Sequence, residues 1–76
     1  MQHIIDILVE DIKNYPAGRS TTIYKLLSQK FMLTKKEMIK ISTMTFDECE
    51  RLNIDLMFAP GYRGNIYDHP FYRVPT

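Results

Sequence analysis

The chain is poor in the side chains that build chemical sites: it has one cysteine, Cys49, and two histidines, His3 and His69, in 76 residues. A lone thiol cannot close an internal disulfide, so a reducing cytoplasm is the expected location. One cysteine and two histidines without paired ligand spacing cannot assemble a closed zinc shell, and neither a metal nor another cofactor is expected. Nucleophilic catalysis would require a base beside Cys49, but both histidines lie far from it in sequence, and Cys49 fits an apolar helix face as an inert core thiol. His69, between Asp68 and Pro70, reads as a solvated turn histidine rather than a tuned acid or base. The chain is therefore expected to be non-enzymatic. Long apolar runs are also lacking. Residues 4–12 are interrupted by Asp6, Glu10 and Asp11 and fall well short of the roughly 20 residues needed to cross a bilayer. No basic leader precedes them and no small-residue cleavage site follows, which argues against a secretory signal. Pro60-Gly61-Tyr62-Arg63-Gly64 has two glycines, but without a lysine pattern or a following helix it is no phosphate loop. No repeat, low-complexity tract or linker divides the sequence, so residues 1–76 form one domain.

What is present is ordinary globular composition, 45% apolar and 25% charged, which predicts a folded domain. A chain this short buries only about 60% of its unfolded surface, which leaves little room for a deep pocket. Net charge is +1, but the sign is segregated. Residues 1–12 are acidic. Residues 13–44 hold Lys13, Arg19, Lys25, Lys30, Lys35, Lys36 and Lys40 against Glu37. Residues 45–55 turn acidic again through Asp47, Glu48, Glu50 and Asp55, and the tail is slightly basic. A basic middle segment can meet a polyanion locally.

Ile4, Ile5, Leu8 and Ile12 share one helical face, which predicts a first helix from Gln2 to Asn14 ended by Pro16. Ile7 and Val9 widen its apolar surface, placing it deep in the domain or against a partner chain. Tyr15-Pro16-Ala17-Gly18-Arg19 is a tight connection. Ser20, Thr21 or Thr22 can cap a second helix to about Lys30 that buries Ile23, Leu26 and Leu27, although a short extended piece through the threonines is an alternative. Thr34-Lys35-Lys36-Glu37 and Thr45-Phe46-Asp47-Glu48 both have the form of a capping box, which predicts a third helix from Thr34 and a fourth from Thr45 with Asn53 as its stop. A strand over residues 38–45 is the rival assignment for the third element. Leu56 to Ala59 reads as a strand, Pro60-Gly61 and Gly64-Asn65 as turns, and Ile66-Tyr67 with Phe71 to Val74 as a return strand that Pro70 confines to an edge or a bulge. The expected fold class is α+β, three or four N-terminal helices packed against a C-terminal β-hairpin.

Lys30, Lys35, Lys36 and Lys40 flank the junction of the second and third helices, where a helix-turn-helix would contact phosphates. Arg63, beside Tyr62, adds a phosphate contact at the hairpin tip. No Arg, Asn or Gln opens the third helix for bidentate base reading, so backbone binding is favoured over sequence recognition. The alternative contact surface is the aromatic hairpin, Phe58, Tyr62, Tyr67, Phe71 and Tyr72, which suits a protein partner. The acidic segments could also meet the basic middle of a second copy, giving a homodimer. The order of three helices followed by a hairpin with an arginine at its tip resembles the winged-helix class of nucleic-acid-binding domains, over residues 2–74. That resemblance implies a transcriptional or mobile-element accessory protein of bacterial type, or an inhibitor of a host enzyme. An acidic helix from Thr45 departs from the simplest winged-helix pattern, and in the recognition position it would repel DNA.

Overall fold

A computed structural model describes residues 1–75. It is an α+β arrangement of three α-helices and a two-stranded antiparallel hairpin. Helix α1 spans Gln2–Asn14 and buries Ile5, Leu8, Val9 and Ile12, a spacing that keeps one face on the core. The helix ends where Tyr15 becomes extended, at φ −71° and ψ 143°, as a residue before proline must. Gly18 then turns to φ +80°, and its N–H donates to the carbonyl of Arg73 at 2.8 Å.

The threonines that follow do two jobs. Thr21 is extended and exchanges both backbone hydrogen bonds with Phe71, at 2.8 and 2.9 Å. Thr22 caps helix α2, Ile23–Ser28, by accepting from the N–H of Lys25 at 3.1 Å. Both readings left open by the sequence hold, one for each threonine. Helix α2 buries Ile23, Leu26 and Leu27 and stops short of the expected Lys30, since Gln29 and Lys30 form a turn.

Helix α3 runs unbroken over Lys35–Arg51. Its start is the expected capping box: the Thr34 hydroxyl accepts from the Glu37 N–H at 3.2 Å, and the Glu37 carboxylate accepts from the Thr34 N–H at 2.9 Å. The strand alternative for residues 38–45 is excluded. The fourth helix is also overturned, because Thr45 is a fully buried mid-helix residue and no cap. The physical reason is the core stripe. Ile41, Thr45 and Cys49 recur every four residues on the buried face, and no glycine or proline interrupts it, so ending the helix at Thr45 would break an apolar seam. The expected stop is where the sequence placed it. Asn53 takes φ 60°, its N–H bonds Glu50 and the Ile54 N–H reaches back to Cys49, a Schellman ending.

Strands β1 (Leu56–Phe58) and β2 (Phe71–Arg73) pair with Phe58 opposite Phe71. The core is closed by three rings: Phe46 meets Phe58 edge-on at 5.0 Å and Phe71 at 5.2 Å. Residues 66–68, where Ile66-Tyr67 is expected to begin the return strand, form a 3₁₀ turn. Pro70 lies just outside β2. A proline there cannot donate to Ala59 across the ladder, and the His69 ring supplies the missing donor, its Nε2 reaching the Ala59 carbonyl at 2.9 Å while the Ala59 N–H donates to Pro70 at 3.0 Å. Since a carbonyl only accepts, Nε2 carries the proton.

Candidate nucleic-acid interface

Lys35 and Lys36 are the first two residues of α3, and Lys40 follows one turn later. All three are exposed and have no ion-pair partner among the described residues. At 100° per residue, Lys36, Lys40 and Thr43 share the face opposite the buried stripe, with Lys35 to one side. The Thr43 hydroxyl is occupied, donating to the Ile39 carbonyl at 3.1 Å. Because α3 is continuous, the acidic residues do not fold back over these lysines. Asp47 shares that face, eleven residues beyond Lys36 and seven beyond Lys40 on the same helix, about 16 and 10 Å along its axis. Placing cations at the N-terminus of a helix opposes its dipole and costs a few tenths of a kcal/mol each.

Lys30 does not belong to this patch. Its ammonium donates to both Asp11 oxygens, at 2.8 and 2.9 Å, tying the end of α2 to α1. The partner lies 19 residues upstream, and nothing local in the sequence signals it. Arg63 is exposed in the β1–β2 loop, which is anchored rather than loose. Its 3₁₀ turn packs on α2 and α3, and the Tyr67 ring lies 6.2 Å from Tyr24.

The aromatic hairpin is mostly structural. Phe71 is 2% exposed and belongs to the core, which removes it from the expected contact surface. Strand alternation turns its side chain inward and leaves Tyr72 half-buried. Tyr67 is also half-buried, while Phe58 remains exposed. Tyr62 donates its hydroxyl to Asp68 at 2.9 Å and stacks on His69 at 5.0 Å. The bond to Asp68 is also the main reason its phenol is held above its ordinary pKa. Gly64 lies so close that an added Cβ would overlap the Tyr62 hydroxyl. Gly64→Ala is therefore expected to lose about 0.5–1.5 kcal/mol, the worth of the Tyr62–Asp68 hydrogen bond that the displaced ring gives up, and to cost almost nothing in a Tyr62→Ala background. Urea titrations of the two single variants and the double variant measure that coupling, and equal losses in both backgrounds would refute the contact.

Nothing in the sequence singles out Arg73. Its guanidinium donates to the Tyr15 carbonyl at 2.7 Å, across 58 residues, fastening the last strand to the end of α1. No local pattern could reveal so distant a partner.

Cys49 is fully buried. Burial, then the neighbouring Glu48 charge, push its thiol up to about 11 against the partial relief of Lys13. The proton is thus held more tightly in the folded state. Stability from this group is complete below about pH 9 and falls as pH rises towards 11, by about 2–3 kcal/mol in total. Urea midpoints at pH 8 and 10.5 should fall further for the wild type than for Cys49→Ala, and parallel falls would contradict the assignment.

Among the described residues, no helix is long and apolar enough to cross a membrane. No known family model, curated protein or solved structure matches the chain.

Proposed function

We propose that this chain is a small nucleic-acid-binding module of winged-helix-like design, gripping phosphate backbone with Lys35, Lys36 and Lys40 and assisted by Arg63 from the hairpin loop. The observation that carries this reading is the lysine cluster at the start of α3. These three bases are exposed and unpaired among the described residues, and two of them, Lys35 and Lys36, stand in the first turn, where cations oppose the dipole. Solubility alone would be better served elsewhere on the surface. The order of elements, three helices and then a hairpin whose loop holds an arginine, supports the same reading. Lys30 is left out because Asp11 already holds its charge. The first three turns of the α3 face offer lysines and a threonine but no Arg, Asn or Gln, so the contact follows the backbone and reads no base edges.

The test is binding of a generic duplex followed by fluorescence anisotropy. With four phosphate contacts, affinity should fall roughly 10²-fold between about 50 and 200 mM salt. No binding at the lower salt, or binding indifferent to salt, would remove the proposal.

A further inference from the structure

A second surface lies away from the lysines, where the hairpin meets the acidic half of α3. Strand β2 is occupied on both sides, by β1 and by Thr21 at Phe71. Strand β1 pairs only with β2, so its other edge is open. The bonds from Val74 N–H to the Asp55 carbonyl and from Ala59 N–H to the Pro70 carbonyl fix the alternation. Residues 55, 57 and 59 face β2, and the peptide N–H and C=O groups of Leu56 and Phe58 point outward. Beside this edge runs a groove of about 390 Å³ between β1 and α3, with Phe46, Ile54 and Phe58 among its apolar lining and Asp47, Glu50 and Asp55 as its charged residues. All three carboxylates are exposed and lack an ion-pair partner among the described residues. Phe58, 39% exposed, and the neighbouring Met57, 51% exposed, leave the strand accessible.

We infer that the open edge of β1 and its acidic groove form a docking site for an extended basic peptide of another protein, which adds as a strand to β1 and sets alternate apolar side chains on Phe46 and Phe58. Main-chain bonds to Leu56 and Phe58 supply the register, and the groove supplies selectivity. The charge decides between occupants. A second copy adding its own β1 across a two-fold axis would bring Asp47, Glu50 and Asp55 towards the same carboxylates, and such like-charge juxtaposition disfavours the pair. A peptide carrying lysine or arginine on the same strand face as those apolar side chains meets opposite charge instead. This site is independent of the nucleic-acid reading, since it uses other residues and the opposite sign of charge.

The probe is a synthetic seven-residue peptide with lysine, valine, valine and arginine at its odd positions, which share one strand face, and threonine between them, titrated into the full chain and followed by amide NMR. The expected result is shifted resonances and slowed hydrogen exchange at Leu56 and Phe58. Binding should weaken about tenfold in the Asp47→Asn, Glu50→Gln, Asp55→Asn variant, and it should vanish when alternate peptide nitrogens are methylated on the strand-facing side. A peptide with glutamate in place of every lysine and arginine tests the same charge rule on the unaltered protein and should not bind. Undiminished binding of the methylated peptide or of the acidic peptide would overturn the inference. So would shifts confined to the carboxylates without exchange protection of the edge, or a concentration-dependent dimer whose protected amides are those of Leu56 and Phe58.

Discussion

Replacing Phe71 by alanine is expected to remove about 3–5 kcal/mol of stability, because the lost ring leaves a cavity that the surrounding elements cannot close. Phe71 is 2% exposed and sits where three parts of the chain converge. Its backbone bonds Thr21, it faces Phe58 across the ladder, and its ring meets Phe46 of α3 at 5.2 Å. At about 0.05–0.15 kcal/mol per residue, a domain of this size has only about 4–11 kcal/mol to lose. The melting temperature should fall by at least about 12 °C, measurable by circular dichroism. A loss below about 1 kcal/mol would show that the ring does not organise the core.

The second large effect concerns binding. On the proposed nucleic-acid reading, neutralising Lys35, Lys36 and Lys40 together removes three phosphate contacts and should lower duplex affinity on the order of 10³-fold at about 50 mM salt, with the salt slope falling by nearly three. Lys30→Ala, by contrast, should leave the slope unchanged and lose only the exposed ion pair with Asp11, about 0–1 kcal/mol of stability. Because all three α3 lysines are exposed, thermal stability should change little. An unaltered slope in the triple variant would place the polyanion contact elsewhere.

The contrast between Lys30 and its neighbours shows where sequence reading stops. Local devices were legible: the Thr34 box, the Asn53 ending, the Tyr15-Pro16 stop and the Gly18 turn all depend on residues a few positions apart. The false helix start at Thr45 has the same letters as the true one at Thr34. What separates them is longer in range, since the four-residue rhythm of Ile41, Thr45 and Cys49 passes straight through it. The fates of Lys30, Phe71, Tyr62 and Arg73 depend on partners brought close only by folding, so exposed and structural versions of these residues look alike in the chain. Of the expected site, the three lysines of α3 are left exposed and unpaired among the described residues, while Lys30 and most of the aromatic residues are engaged in holding the structure together.

The uninterrupted α3 has one more consequence. With bases at its first turns and Asp47 and Glu50 near its far end, it is a charged rod with opposite poles, and any strongly charged body exerts a torque on it before contact. Rotational alignment of this kind raises the fraction of collisions that arrive correctly presented. Exchanging Lys36 and Asp47 would keep net charge constant while cancelling both poles, leaving the helix no preferred orientation during approach.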